Sequence, residues 1–184
     1  MLIHTQRLRL FTCEQEHLAA IVADLPSLGD LLKVSIPEKW PEHPQAYRHA
    51  LELLKKEPMR AVGGWWLYLF VDPALKSLVG SGGFKDVPDE DGAVEIGCEI
   101  APAFRRQGLA TEALYALTAY AFTRPAVNAV DAYSLPLKCP QSELFRGLGM
   151  KKVGEATHVV AGKVWKWRIT QDTYVRNALR ARRQ

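Results

Sequence analysis

At 184 residues, with 48% hydrophobic and 24% charged content, the chain is long enough for one well-buried core and too apolar to stay unfolded. It has no run of about 18 apolar residues, and its opening M-L-I-H-T-Q-R lacks the basic-then-apolar layout of a secretory signal, so a soluble, cytoplasmic protein with a single domain over 1–184 is expected. The net charge of +4 does not mark a nucleic-acid surface: Arg176, Arg180, Arg182 and Arg183 set against Asp172 supply three of those charges at one end, where arginines suit the negative pole of a helix.

Residues 7–11 alternate charged and apolar side chains, as a half-buried strand does. Thr12 with Gln15 resembles a capping box, and Leu18, Ile21, Val22 and Leu25 recur with helical spacing, which predicts a helix ended by Pro26. Pro37, Pro41 and Pro44 punctuate a loop, after which Tyr47, Ala50, Leu51 and Leu54 predict a second helix closed by Pro58. The apolar-rich runs 65–71, 77–84 and 93–101 are separated by D-P-A-L-K and D-V-P-D-E-D-G, both turn-forming, and read as an antiparallel meander.

Leu109, Ala113, Leu114, Leu117 and Ala121 give the next segment the buried face of a helix, with Pro125 beyond its end. Residues 127–134 are a further strand, 139–148 a short helix with Pro140 in its first turn, and 151–155 and 163–170 the last two strands. The order of elements implies an α/β domain: a mixed, mostly antiparallel seven-stranded sheet with helices on both faces. Its strand-helix-strand unit over 94–134 supplies one parallel pair by a right-handed crossover.

Cys13, Cys98 and Cys139 are far apart and odd in number, and the five histidines form no ligand pattern, so free thiols and no metal are expected. The informative stretch is A-F-R-R-Q-G-L-A-T between a strand and a helix. Gly108 has no side chain to obstruct a ligand, and the free N–H groups from about Arg106 to Thr111 would converge on an anion, aided by the helix dipole and by Arg105 and Arg106. No G-K-[ST] follows and no G-x-G-x-x-G is present, so this is neither a Walker loop nor a Rossmann fingerprint.

R-R-Q-G-L-A matches the [RQ]-x-x-G-x-[GA] signature of the GNAT acyl-CoA N-acyltransferases, and E-I-G-C-E-I-A-P-A-F-R-R-Q-G-L-A-T-E-A-L resembles their strand, loop and helix throughout. H-T-Q-R-L-R-L and F-R-G-L-G-M-K-K-V-G-E resemble the first strand and the helix-glycine-strand segment of the branch that holds the ribosomal-protein N-terminal acetyltransferases, so the resemblance spans residues 4–170. It implies acetyl-CoA as cosubstrate, with the pyrophosphate on the backbone of Arg106, Gln107, Gly108, Leu109, Ala110 and Thr111. It also implies a pantetheine arm lying like an added strand along Cys98, Glu99 and Ile100, where the fourth and fifth strands of the fold splay apart.

Acyl transfer from a thioester to an amine needs a base for the amine, a donor for the developing oxyanion and a proton for the departing thiolate. A backbone N–H near Cys98 or Glu99 is the implied oxyanion donor. Glu95 matches the strand glutamate frequent in the branch and is the candidate base; Glu99 shares its face by strand alternation and competes with it. Counting back from Gly149 and Met150, the family's helix Asn, Ser or Ala, and Tyr fall on Lys138, Gln141 and Phe145, none of the usual side chains. That leaves Ser142, Tyr133 or solvent as proton donor.

Trp40, Trp65, Trp66 and Tyr68 could line an acceptor pocket or belong to the core, and the acidic loop 86–91 could attract a cation or simply cap a hairpin. The expected activity is N-acetyl transfer to a small-molecule amine or a peptide N-terminus, with no membrane partner. The missing Asn, Ser and Tyr motivate a non-catalytic CoA-binding domain as the alternative, and the arginine end a nucleic-acid-binding module as a weaker one. Trp165 and Trp167 could pack within the fold or against a second copy in a homodimer.

Overall fold

The computed structural model of the protein describes residues 1–158 and 161–181. In chain order its elements are β1 (Leu2–His4), β2 (Arg9–Thr12), α1 (Gln15–Ala23), α2 (Leu25–Leu32), α3 (Pro44–Lys56), β3 (Leu67–Asp72), β4 (Ser77–Phe84), β5 (Ala93–Ile100), α4 (Leu109–Phe122), β6 (Ala129–Ser134), α5 (Pro140–Gly147), β7 (Lys151–His158), β8 (Gly162–Thr170) and α6 (Gln171–Ala181). Single 3₁₀ turns occupy Pro58–Ala61 and Pro102–Phe104. Arg176 and Arg180 lie on α6, whereas Arg182 and Arg183 fall outside the described residues.

Among the described residues the strands form one sheet in the order β1-β2-β3-β4-β5-β6-β8-β7, antiparallel throughout except for β5 and β6. The mixed α/β class read from the sequence holds, with eight strands in place of seven. The added one is β1. Thr5 N–H donates to Leu8 O at 2.9 Å and Leu8 N–H to Thr5 Oγ1 at 2.8 Å, closing a turn that folds Leu2–His4 back onto Arg9–Phe11.

The helices before the sheet also differ from expectation. α1 is capped at Glu14, whose N–H donates to His17 Nδ1 at 3.0 Å, and not at Thr12, which belongs to β2. Pro26 opens a helix instead of ending one: α1 stops at Ala23 and α2 begins at Leu25 with the proline in its first turn, where its missing N–H is harmless.

Period-two alternation in β3 builds two cores. Tyr68 and Phe70 face α4, packing with Ala113, Leu114, Leu117 and Ala121; Leu69 and Val71 face the other way, onto Leu18, Leu28, Tyr47, Leu51 and Leu54 of α1–α3. Trp40, Trp66 and Tyr68 are buried in these cores, and Trp65 packs edge-on against Phe84 at 4.8 Å, so the four aromatics build walls more than they line a pocket. Fully burying a large apolar side chain contributes roughly 1.5–3 kcal/mol, and β4 is buried along its whole length.

β5 and β6 pair only over Ala93–Glu95 and Ala129–Asp131. Past that point β5 stays with β4 as far as Ile100 while β6 follows β8, so the two strands separate and leave a gap.

Candidate active site

The gap has a defined main-chain lining. Lys85 N–H donates to Glu95 O and Ala101 N–H to Val79 O, each at 3.0 Å, so alternate residues of β5, including Gly97 and Glu99, bond to β4. Cys98 and Ile100 therefore turn their N–H groups into the gap, and the Ile100 carbonyl is taken by Arg105 Nε at 2.9 Å. Cys98 is pushed up to about 12, chiefly by burial and secondly by Glu99, so its thiol stays neutral and unreactive at ordinary pH.

Next along the chain, Arg106 (φ 62°) and Gly108 (φ 78°) are both left-handed, and Gly108 is the N-cap of α4. The first helical N–H to reach a backbone acceptor is that of Glu112, on Gly108 O at 3.0 Å, so the amides of Leu109, Ala110 and Thr111 point out of the helix end, at its positive pole. A left-handed cap with no capping side chain leaves this amide cluster open to an anion.

Arg105, which the sequence groups with the anion site, directs its guanidinium elsewhere: it holds Ile100 O and pairs with Glu42 of the loop before α3. Glu42 N–H in turn donates to Glu99 Oε1 at 3.0 Å. Burial raises the Glu99 pKa, against the lowering effect of the Glu42 N–H, His43 and Arg105. Tyr47 of α3 and Ser81 of β4, hydrogen-bonded to each other, sit on the same side, since Ser81 is the register partner of Glu99.

Register places Lys85, Glu95, Gly97, Glu99, Asp131, Tyr133, Lys166 and Arg168 on one continuous face that runs from the α1–α3 core across the gap. Glu95 is paired with Lys85 Nζ at 3.2 Å. Asp131 is bridged by Arg168 at 2.6 Å and Lys166 at 2.8 Å; burial opposes its ionisation, and these bonds overrule it, so its pKa is lowered. Between the carboxylates Gly97 is exposed, and a Cβ built there meets nothing within 4 Å, so the floor beside Cys98 is open. Glu95 and Glu99 lie about 13 Å apart along the strand, and only Glu99 neighbours the Cys98 amide.

The two candidate hydroxyls are placed differently. Tyr133 is half-buried on this floor, lining a small cleft with Lys85, Glu95, Asp131 and Lys166. Ser142 is 0% exposed, and its Oγ donates to Cys139 O at 2.8 Å and accepts from Cys139 N–H at 3.0 Å, closing the first turn of α5. The sequence reading did not single out Glu42, Tyr47, Ser81 or Gly97. Hairpin register alone could have paired Lys85 with Glu95, but nothing in the pattern of 37–43 signals that Glu42 folds back onto Arg105 and Glu99. Among the described residues no cluster of three or more His, Cys, Asp or Glu could hold a metal, and no helix is long and apolar enough to cross a membrane.

The model of the acetyltransferase (GNAT) domain family matches residues 7–151 of the chain. The uncharacterized N-acetyltransferase YjdG of Bacillus subtilis (strain 168) is 29% identical over 157 residues, covering 84% of this chain and 89% of that protein. Among solved structures, RimL, a ribosomal L7/L12 alpha-N-protein acetyltransferase in complex with coenzyme A, is similar with a TM-score of 0.69 at 15% identity, over 94% of this chain and 99% of that one. A chimera of the spermidine N-acetyltransferase SpeG from Vibrio cholerae with hSSAT gives a TM-score of 0.67 at 18% identity, over 92% and 99%. At these identities the two structures share the fold with this chain.

Proposed function

The chain belongs to the acetyltransferase (GNAT) family, and from that premise we propose that it transfers an acetyl group from acetyl-CoA to a primary amine by direct attack on the thioester. The observation that carries the reading is the continuity of two main-chain openings, the gap beyond Glu95 and the uncapped start of α4, joined by the turn 101–108. An extended, amide-bearing arm ending in a pyrophosphate fits that shape: the arm satisfies Cys98 and Ile100, and the phosphates meet the amides from Arg106 to Thr111.

In this reading the Cys98 N–H stabilises the oxyanion, being the amide that faces the gap beside the open floor at Gly97. Glu99 takes the proton from the attacking amine, because it follows Cys98 directly along β5 and its raised pKa makes it a better base than an exposed carboxylate. Glu95 is assigned the lesser part of drawing the cationic acceptor onto the floor. The amine forms the new C–N bond, the C–S bond breaks, and the thiolate takes a proton from Tyr133 or solvent. Ser142 is left out of the reaction, since its hydroxyl is committed to the α5 cap. The neutral Cys98 thiol favours direct transfer over an acyl-enzyme.

The acceptor class is a small-molecule amine or a peptide N-terminus. The relatives named for ribosomal protein and spermidine acetylation both act on amines, which supports the class without choosing within it. Calorimetry with CoA, followed by thiol release from acetyl-CoA across a panel of amines, peptides and polyamines, tests the proposal. Absence of CoA binding sinks it, and binding without release from any acceptor leaves a non-catalytic CoA-binding domain.

A further inference from the structure

The β1–β2 turn is riveted to the start of α4 across more than a hundred residues of sequence. Glu112 accepts Thr5 Oγ1 and Arg7 N–H on one carboxylate oxygen and Arg7 Nε on the other, the last two at 2.7 Å. The same guanidinium reaches on with Nη1 to Gln107 O at 2.9 Å. Arg7 thus spans the helix and the turn in front of it with one planar fork.

The Gln107 contact has a consequence at the next atom. In a trans peptide the carbonyl and the following N–H point in opposite directions, so the orientation of Gln107 O fixes that of Gly108 N–H. This peptide is easily turned, because Gly108 has no Cβ and tolerates either sign of φ. The chain on each side does not choose for it: Arg106 and Gly108 are both left-handed, and the Gly108 cap carries no side-chain bond. Within the turn Gln107 is tied only through its side chain, Nε2 donating to Ala103 O at 3.3 Å, and the hold on its carbonyl comes from Arg7.

We propose that Arg7 is a positioning residue for the donor site: by keeping the Gln107 carbonyl on the outer side of the turn, it aims Gly108 N–H into the amide cluster that receives the pyrophosphate. The inference rests on the reading of that turn as a CoA site. It assigns Arg7 an effect through geometry more than through charge. The side chain is 43% exposed, where solvent screens its field, and its Nε and Nη1 are bonded to protein oxygens. Lysine keeps the charge but lacks the planar fork whose two nitrogens reach Glu112 and Gln107.

Calorimetry of Arg7→Lys with CoA is the test. Losing one well-aimed, charge-assisted hydrogen bond should weaken binding about tenfold, with the slope of log Kd against log salt unchanged. In the ligand-free protein the ¹H–¹⁵N signal of Gly108 should move or broaden in Arg7→Lys, and CoA should draw it back toward the position in the unaltered protein. Arg7→Lys that binds CoA as tightly as the unaltered chain, or leaves the Gly108 signal in place, overturns the inference alone. Failure of the unaltered chain to bind CoA overturns the proposed function and this inference with it. Should Arg7→Lys not fold, Glu112→Gln, which loosens the guanidinium while leaving it present, is expected to shift the Gly108 signal and CoA affinity in the same direction; no change in either overturns the inference.

Discussion

The proposed donor and acceptor halves of the cleft are built on different plans. From Cys98 to Thr111 the groups offered to a ligand are main-chain amides, and the side chains that matter, Arg7 and Glu112, touch protein atoms. On the floor around Gly97 the groups offered are side chains, Glu99 and Glu95 of β5, Tyr133 of β6 and Glu42 from a loop, with buried Tyr47 of α3 behind them. A site made of backbone survives substitution so long as the path of the chain is kept. A site made of side chains changes with each one, so in this molecule acceptor choice can drift while the donor site stays.

The sharpest way to break that contrast is to remove the acceptor-side carboxylate. Glu99→Gln should lower kcat by about 10²–10⁴, the range for loss of a general base, with little change in CoA affinity. The rate of the unaltered enzyme should fall on an acid limb lying above the ordinary glutamate value of 4.5, because burial raises Glu99, and that limb should vanish in the variant. Glu95→Gln, which removes a carboxylate already paired with Lys85, should cost no more than about fivefold. A reversal of that order would move the base to Glu95.

A donor-side change should show the opposite profile. Gly108→Glu forces an ordinary residue into a left-handed conformation, costing about 1–2 kcal/mol, and sets a negative charge beside the proposed pyrophosphate site. Together these should weaken CoA by on the order of 100-fold. A Cβ at Gly108 would stand 3.5 Å from Arg7 Nη2, an ordinary contact, so the fold should persist. Calorimetry with CoA checks it, and undiminished affinity would remove the phosphates from this turn.

The same division governs what could be read from sequence. The donor turn is one contiguous stretch whose chemistry depends on a glycine and a helix start, so A-F-R-R-Q-G-L-A-T displays it directly. Even there the side chains misled: two adjacent arginines look like an anion clamp, but Arg105 caps the last carbonyl of β5 and holds Glu42. H-T-Q-R-L could be matched to a strand opening without revealing that Thr5 and Arg7 meet Glu112, since no local pattern encodes that pairing. The acceptor side draws on four separate segments, and only the β5 part, with Glu95 and Glu99 on one face, follows from alternation. Pro26 was ambiguous for a physical reason, as proline suits a first helical turn as well as the residue beyond a last one.

The smallest effect separates the two halves by sign. Burial tends to raise Glu112, but the bonds from Thr5 and Arg7 outweigh it and lower its pKa below the ordinary 4.5, whereas Glu99 is raised above that value. A carboxyl lowered on folding adds stability that is complete above its unfolded pKa and lost as pH falls through the folded one. A carboxyl raised on folding does the reverse: its ionised form burdens the fold, and the burden lifts as pH falls through its folded pKa. Glu112→Gln should therefore lie below the unaltered protein in Tm at pH 7, by roughly 2–4 °C for each kcal/mol removed, with the gap narrowing as pH falls below 4.5. Glu99→Gln should lie at or above it at pH 7, and that gap should also narrow in acid. Thermal unfolding of the three proteins at pH 7 and pH 4 checks both signs, and a Glu99→Gln variant less stable than the unaltered chain at pH 7 would mean that Glu99 is held for the fold and not spent on the acceptor.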